Sequence, residues 1–302
     1  MLIGLQKQWQ ILRTAAEKDK LPHAFLFSGP DKVGKKTLAL NLVKFIFCQG
    51  EKEMEGFSCG KCRACIDVGK KAHPDLALIE PKDGSIKISQ IRDLEWKLSL
   101  KPYSAKMKAG IIDDAHLMLP DAQNSLLKTL EEPRGKALLI LISSDPQRLL
   151  KTVFSRVRTM KFFLAPDAEI KEKLASFESD FEKIEKITNL SLGRPGQAME
   201  FLNDHEKFLA REKKLEEIEK IMKAKIPEKF KYAKEIADSP EIIEETLALW
   251  ERRIREELIL CKESSSCLVR PLRELEEALR LVKTTNASPK LILENLMLNF
   301  NI

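Results

Sequence analysis

The sequence predicts an α/β domain with a mainly parallel sheet, followed by a region built of helices alone. Short apolar runs, typical of buried strands, alternate with helical patterns up to about residue 165. A glycine-containing turn that ends in lysine joins the first strand to the first of these helices. From residue 205 onward the chain is rich in Lys and Glu, keeps a helical period and has almost no strand signal.

The predicted elements of the first half follow one another in strand–helix order. The strands are expected at 24–28, 75–79, 109–113 and 137–143, and the helices at 35–48, from Ser89 as cap to about 98, and at 122–132, where Pro133 ends the helix. The run at 137–143 is apolar throughout, as in a parallel strand that is covered on both faces. Strands and helices in alternation favour a doubly wound sheet.

Beyond Pro166 the pattern becomes helical. Short helical stretches at 167–204 are interrupted at Gly193, Pro195 and Gly196. Longer helices are predicted at 206–224, 228–238, 240–261, 267–284 and 288–300, the last with Ser288 as cap and Pro289 at its first position. The 302 residues are enough for two or three domains, and we predict three: 1–165, 166–204 and 205–302.

Composition excludes some classes of protein. The chain is 43% hydrophobic and 32% charged, which is compatible with folded cores. Its net charge of +6 permits a nucleic-acid partner, but a solvated surface explains it equally well. The longest clean apolar run, 137–142, is far shorter than the ~20 residues of a membrane helix. The first residues, MLIGLQKQ, do not resemble a secretory signal, so we expect a soluble, cytoplasmic protein without a membrane partner.

Four of the six cysteines lie close together in the sequence. Cys48, Cys59, Cys62 and Cys65 have the spacing C-x10-C-x2-C-x2-C. Two-residue spacers let successive thiolates reach one ion, and four thiolates close a tetrahedral site with no position left for water. We therefore predict a structural zinc module at about 48–72, with four ordinary free thiols as the alternative. The other two cysteines, at 261 and 267, are expected to be ordinary residues.

The turn after the first strand matches a phosphate-binding loop. Residues 29–37, GPDKVGKKT, fit G-x-x-x-x-G-K between a strand and a helix. Gly29 and Gly34 allow backbone N–H groups to surround phosphate oxygens, and Lys35 reaches the outer phosphates. Lys36 stands where a Ser or Thr hydroxyl should bind Mg²⁺, and Thr37 follows about 100° of helix rotation too late. ATP with Mg²⁺ is therefore expected to bind weakly or not at all.

Two acidic residues end the strand at 109–113. Asp113 stands where a carboxylate would hold the waters of the metal ion. Asp114 takes the place of the glutamate that polarises the attacking water and is one methylene shorter. A misplacement of about 1 Å can reduce the rate about a hundredfold. Turn capping is the alternative role for this pair, and His116 is expected to be a packing or surface residue.

Several motifs resemble one protein family. QNSLLKTLEEP at 123–133, SSDPQ at 143–147 and FSR at 154–156 resemble the AAA+ core of bacterial clamp-loader subunits. The four-cysteine insertion is typical of the gamma/tau and delta-prime subunits in that family. LPHAFLFSGP, HPDLALIEP and SIKISQIRDL are similar to the delta-prime type of DNA polymerase III. The resemblance is dense over about 3–158, moderate to 202 and thin beyond.

This resemblance implies a subunit of a pentameric, ATP-driven machine. The machine opens the sliding clamp and places it on primer–template DNA at the replisome of the bacterial nucleoid. Its partners would be gamma/tau and delta-type subunits, the clamp and, through the assembly, DNA. Residues 1–165 would form the AAA+ domain, 166–204 a helical lid domain and 205–302 a collar domain for oligomerisation.

The resemblance also implies roles for single residues. Arg156 matches an arginine finger that enters a neighbour's ATP site, although Val157 replaces the usual cysteine. Ser143 or Ser144 falls at the polar sensor-1 position, and Gly196 stands where a sensor-2 arginine is expected. In P-loop NTPases such a finger, supplied by the chain itself or by a partner, is worth about 10³–10⁵ in rate.

Three departures from the family pattern point in one direction. Lys36, Asp114 and Gly196 each remove something that hydrolysis needs, whereas Arg156 is kept. We therefore predict a subunit that completes another subunit's site and hydrolyses little ATP itself. One alternative is a working ATPase in which Thr37 or water replaces the missing ligand. Another is a zinc-stabilised DNA-binding module with a vestigial nucleotide fold. The basic residues Lys97, Lys101, Lys106 and Lys108 are given no role.

Overall fold

The computed structural model describes residues 2–51, 57–132, 135–260, 265–285 and 287–299. Within it the chain divides into two compact units. The first holds the chain up to residue 177 together with 193–197, and the second holds 178–192 and the chain from residue 198 onward. The division into domains at 165 and 204 stays a prediction. Residues 133 and 261, named above as a helix stop and an ordinary cysteine, lie outside the described residues.

A five-stranded parallel sheet forms the centre of the first unit. Its strands are β1 (Ala24–Ser28), β2 (Leu76–Ile79), β3 (Lys108–Ile112), β4 (Ala137–Ser143) and β5 (Arg158–Lys161). Their order across the sheet is β2-β3-β4-β1-β5, with every neighbouring pair parallel. The four predicted strands are confirmed to within one residue at each end. The fifth was missed because its side chains are mostly exposed and give no apolar run.

Helices cover both faces of this sheet. The helices of the first unit are α1 (Gln6–Glu17), α2 (Lys35–Phe47), α3 (Arg63–Gly69), α4 (Ile88–Ser99), α5 (Pro120–Glu131), α6 (Lys151–Phe154) and α7 (Asp167–Leu174). Phe25 and Phe27 of β1 pack in one apolar core with α1 and α2. Leu26, between them, packs in a second core with α4 and α5. This alternation confirms the doubly wound arrangement.

Two predicted helix boundaries are wrong. Ser89 is the second residue of α4, and the cap is Lys87, whose backbone N–H donates to Oε1 of Gln90 at 3.1 Å. Pro120 begins α5 two residues before the predicted start, because proline suits the first turn, where its missing N–H has no partner to lose.

The second unit is helical throughout its described residues. Its helices are α8 (Phe181–Ser191), most of α9 (Pro195–Asn203), α10 (His205–Met222), α11 (Ile226–Ile236), α12 (Pro240–Leu260), α13 (Ser265–Thr284) and α14 (Pro289–Asn299). The helices predicted from residue 205 onward are confirmed to within two residues at each described end, and the predicted ends at 261 and 300 lie outside the described residues. Pro195 and Gly196 are the first two residues of α9, so neither of them interrupts a helix. Of the helices described, none has the length and apolar character needed to span a membrane.

Candidate nucleotide site and cysteine cluster

The carboxyl ends of four parallel strands bring the predicted site residues to one edge of the sheet. The phosphate loop follows β1, Asp113 follows β3, and Ser143 ends β4. Glu80 follows β2, which is the neighbour of β3. In open α/β sheets this edge is where ligands bind. Chain topology therefore assembles acidic, basic and hydroxyl groups that lie far apart in the sequence.

The two glycines of the phosphate loop are required by its backbone. Gly34 caps the N-terminus of α2 with φ of 96°, a left-handed conformation that glycine adopts without strain. A Cβ atom on Gly29 would lie 2.2 Å from the carbonyl oxygen of Phe162, so a side chain there is excluded. The loop thus has the tight turn and open helix N-terminus that phosphate binding uses.

Lys35 is folded back on its own loop. Its side chain is 5% exposed. Its Nζ donates to the carbonyl oxygens of Gly29 and Pro30, the latter at 2.6 Å, and lies 3.7 Å from Oδ1 of Asp31. Burial lowers the pKa of Lys35, against the opposing effect of Asp31. A phosphate group would replace these carbonyls as the acceptor for the Lys35 ammonium.

Lys36 occupies the place between two carboxylates at the strand ends. Its Nζ lies 2.7 Å from Oδ2 of Asp113 and pairs also with Glu80. Nζ of Lys71 lies 3.0 Å from the same oxygen of Glu80. Burial by itself lowers the pKa of Lys36, but the bonds to Asp113 and Glu80 outweigh burial and raise it. Lys36 is therefore charged at neutral pH and neutralises the carboxylate that was expected to serve a metal.

These residues do not fit a magnesium ion. Mg²⁺ needs oxygen ligands at about 2.0–2.1 Å in near-octahedral geometry. Here the ammonium of Lys36 pairs with the strand-end carboxylate, and the residue directly after Lys35 has no hydroxyl group. Thr37 is exposed on α2, and no hydrogen bond to Asp113 is found among the described residues. The Lys36–Asp113 ion pair is thus a structural reason to expect weak binding of Mg²⁺ at this position.

Asp114 lies in a left-handed backbone conformation beside this cluster. Its φ and ψ are 47° and 48°, a region that Asp tolerates better than most residues. Burial raises the pKa of Asp114, and the charges of Asp113 and Asp31 add to the effect. Asp114 thus releases its proton less readily than an exposed aspartate.

The two serines at the end of β4 have different surroundings. Ser143 is fully buried, and its carbonyl oxygen accepts the Gly29 N–H at 3.2 Å. Its hydroxyl has no hydrogen-bond partner among the residues described. Oγ of Ser144 lies 3.4 Å from Nε2 of His116, for which the sequence predicts a packing or surface role. A buried hydroxyl without a partner costs about 1–3 kcal/mol, which a ligand atom would offset.

Gly196 contacts the phosphate loop through its backbone. Its N–H donates to the carbonyl oxygen of Lys32 at 2.8 Å. A Cβ atom at this position would lie 2.8 Å from the same oxygen. Gly196, at the position expected for a sensor-2 arginine, therefore packs so closely on the backbone of Lys32 that a side chain has no room there.

Arg156 lies just after α6 and is held by local contacts. Its Nη2 is 2.5 Å from Oε1 of Glu131, at the end of α5. Its Nη1 donates to the carbonyl oxygen of Thr152 at 2.9 Å and to Oγ of Ser155 at 3.0 Å. The side chain is one-third exposed. No bond joins Arg156 to the chain's own phosphate loop among the described contacts.

The four predicted cysteines come together. Their Sγ atoms all lie within 4.8 Å of one another. Four thiolates at the usual Zn–S distance of about 2.3 Å are about 3.8 Å apart, so the cluster fits one tetrahedral zinc ion. Burial alone would raise the pKa of Cys62, but hydrogen bonds, first from the backbone of Gln49, lower it to about 6. Burial raises the pKa of the Cys65 thiol to about 12.

One of the unassigned basic residues is structural. Nζ of Lys108 lies 3.0 Å from Oδ1 of Asp75, and both side chains are buried. Asp75 also accepts the backbone N–H groups of 103, 104 and 105 at 2.7–2.9 Å. These bonds outweigh burial, which alone would raise the pKa of Asp75, and lower it to about 2. Lys108 therefore has no free charge to offer a partner, whereas Lys97, Lys101 and Lys106 are exposed.

Sequence reasoning missed Glu80, Lys71 and Glu131. Glu80 follows a buried strand in the same way as Asp113 does, so the strand-end rule that found Asp113 had the signal to find Glu80. Lys71 and Glu131 carry no local signal. They become partners of Glu80 and Arg156 only through packing.

The sheet order and the phosphate loop define a P-loop domain of the AAA+ class with an altered metal position. Residues 4–165, more than half of the chain, match the family model described as "DNA polymerase III, delta subunit". The chain therefore belongs to this family, among the clamp-loader subunits of delta-prime type.

Individual relatives agree with this placement. The chain is 40% identical to DNA polymerase III subunit delta' of Bacillus subtilis over 167 residues, covering 55% of this chain and 49% of that protein. It is 35% identical to subunit delta' of Pseudomonas aeruginosa over 177 residues, covering 57% and 53%. The chain thus spans about half the length of the curated relatives it matches.

One solved structure is similar over nearly the whole chain. It is a DNA polymerase III gamma subunit-related protein of Thermotoga maritima, with a TM-score of 0.50 and 20% identity. The similarity covers 97% of this chain and 98% of that one. At this identity it shows the fold alone.

Proposed function

We propose that the chain is a delta-prime-like subunit of the DNA polymerase III clamp loader and helps to load the sliding clamp onto primed DNA. It supplies Arg156 to the ATP site of a neighbouring subunit and hydrolyses little ATP at its own site. The observation that carries this proposal is the 2.7 Å contact between Nζ of Lys36 and Asp113. Membership of the family supports the role as a clamp-loader subunit. The Lys36–Asp113 contact supports the proposal that this subunit hydrolyses little ATP itself.

The charges around the phosphate loop support the proposed lack of ATP hydrolysis at this chain's own site. Phosphoryl transfer depends on a metal ion that bridges the outer phosphates and neutralises developing charge. Lys36 competes for the Asp113 carboxylate that such an ion needs. The position of Gly196 leaves no room for the side chain of the expected sensor-2 arginine. The raised pKa of Asp114 and its short side chain make it a poor replacement for a glutamate that orients water.

The exposure of Arg156 supports the proposed finger role. A fixed guanidinium at the γ-phosphate offsets charge in the transition state. Arg156 is one-third exposed and its acidic partner is half exposed, so an incoming phosphate can replace the carboxylate. In this proposal the partners are gamma/tau and delta-type subunits, the clamp and primer–template DNA. Residues 166–204 act as the lid domain and 205–302 as the collar domain.

The cysteine cluster is proposed to hold one structural zinc ion. Cys48, Cys59, Cys62 and Cys65 would supply all four ligands, which leaves no coordination position for substrate or water. The ion would stabilise the module at about 48–72 and take no part in hydrolysis. Metal analysis of the purified chain is expected to find about one zinc per chain, a ratio that corresponds to one closed tetrahedral site.

The proposal is tested by ATP hydrolysis in a reconstituted loader that carries Arg156→Ala. Hydrolysis at the site completed by this chain is expected to fall about 10³-fold or more. Arg148→Ala is the matched control, since Arg148 is an exposed arginine close in sequence. The isolated wild-type chain is expected to hydrolyse no more ATP than its Lys35→Ala variant. Unchanged ATP hydrolysis by the loader that carries Arg156→Ala would contradict the proposal. So would ATP hydrolysis by the isolated wild-type chain above that of its Lys35→Ala variant.

A further inference from the structure

The phosphate loop keeps the features that bind phosphate, even though its metal position is altered. Gly29 and Gly34 shape the turn, and Lys35 is poised on two loop carbonyls that a phosphate can replace. The buried Ser143 hydroxyl beside the loop has no partner among the described residues. A loop that only served packing would not need a buried lysine together with an unsatisfied hydroxyl. These groups indicate a place for an anionic ligand.

A nucleotide phosphate is normally bound together with Mg²⁺, and in this chain the Lys36 ammonium already lies at the carboxylate expected to hold that ion. The Lys36 ammonium lies between Asp113 and Glu80, where the two strand ends meet. A divalent ion at Asp113 would have to displace this ammonium and then lie a few ångströms from it. Like charges at that distance repel strongly in a partly buried site. Lys71 holds Glu80 from its other side, which keeps the acidic residue in place.

We propose that this site binds a nucleoside polyphosphate without a divalent cation, with the Lys36 ammonium in the place of Mg²⁺. The proposal rests on the proposed function only for the identity of the ligand as a nucleotide. Lys35 would then contact the outer phosphates. Lys36, the next residue, would stay paired with Asp113. Bound nucleotide would then hold the loop and the first turn of α9 together, through Gly196 and Lys32, without being hydrolysed.

The test compares ATP affinity with and without divalent cation. Equilibrium dialysis of ATP against the full chain is carried out in MgCl₂ and in EDTA. For the wild-type chain the two dissociation constants are expected to agree within about threefold, since no metal takes part in binding. Lys35→Ala is expected to lose ATP binding in both buffers.

Lys36→Thr is the decisive variant. It removes the internal cation and restores a hydroxyl, so ATP binding is expected to become at least about tenfold tighter in MgCl₂ than in EDTA. Lys36→Met, which keeps the length of the side chain, guards against a folding defect and is expected to show the same dependence. Lys70→Ala is the matched control, because Lys70 is an exposed lysine nearby in the chain with no ion pair to Glu80 or Asp113 among the described contacts. It is expected to stay independent of metal.

Three results would overturn the inference. They are a wild-type chain that needs Mg²⁺ for ATP, a wild-type chain that binds ATP in neither buffer, and Lys36 variants that remain independent of metal. The loader assay with Arg156→Ala does not depend on any of these measurements. If the wild-type chain fails here while that assay shows the expected loss, this inference alone is wrong.

Discussion

Two ion pairs of the first unit, Lys36 with Asp113 and Arg156 with Glu131, each join a basic side chain to a carboxylate, but the surroundings of the two carboxylates differ. Lys36 and Arg156 have nearly equal exposure, 32% and 33%. Lys36 meets two carboxylates, of which Asp113 is only 16% exposed, whereas Arg156 meets one, Glu131, which is 49% exposed. The two cations therefore differ in the number and the burial of their acidic partners, and by this measure Lys36 is held more firmly than Arg156.

The magnitude of such pairs supports this contrast. An exposed ion pair is worth about 0–1 kcal/mol, so Arg156 exchanges its partner at little cost. A shielded cation with two acceptors is harder to displace, because every partner that it leaves must be solvated again. The two cations thus differ in how firmly their acidic partners hold them, which is the difference on which the proposed roles of Lys36 and Arg156 depend.

The fully buried pair, Asp75 with Lys108, extends the comparison and has the largest expected effect on stability. Asp75→Asn leaves the Lys108 ammonium buried without its counter-charge, so the free energy of unfolding is expected to fall by about 3–5 kcal/mol. Urea unfolding of the full chain measures this loss. Asp67→Asn, which breaks the exposed pair with Arg63, is the control and is expected to change stability little.

The same residue predicts a pH dependence. The pKa of Asp75 is about 2 in the folded chain, below its ordinary value of 3.8. Its contribution to stability is therefore complete above about pH 4 and is lost as the pH falls towards 2. The Asp75→Asn chain is expected to lose less stability than the wild type over that interval. Equal acid sensitivity of the two chains would contradict the assignment.

Gly196 tests how tightly the start of α9 packs against the phosphate loop. Gly196→Ala places a Cβ atom 2.8 Å from the carbonyl oxygen of Lys32, so a loss of about 1–3 kcal/mol in stability is expected. Thermal unfolding measures it. Gly69→Ala is the control, because the nearest atom to its Cβ is the flexible end of Lys44 at 3.4 Å. A Gly196→Ala chain as stable as the wild type would show that the loop yields easily.

The smallest effect is expected for the partner of Arg156. Glu131→Gln removes the charge of an exposed pair, so loader ATPase is expected to change by no more than about threefold. Glu132→Gln, at the neighbouring exposed position, is the control. A loss of tenfold or more, confined to Glu131→Gln, would mean that Glu131 positions Arg156 for its role and that the two ion pairs differ less than their exposure suggests.

Much of the fold was predictable because its signals are local. The strand at 137–143 is apolar throughout, and the Gly-Lys turn after 24–28 marks the phosphate loop. The spacing of the four cysteines predicted their cluster. The edge strand 158–161 was not predictable, because its exposed polar side chains owe their strand conformation to pairing with β1.

By itself the sequence determined which groups are present and which are missing. It places Lys36 where a hydroxyl belongs, Asp114 where a glutamate belongs, and an arginine after Ser155. Only the tertiary structure decided what those groups meet. Glu80 and Lys71 join the Lys36 cluster, Glu131 meets Arg156, and Gly196 closes on Lys32. The reason is physical: identity and spacing are properties of the chain, whereas partners and burial depend on packing between segments far apart in it.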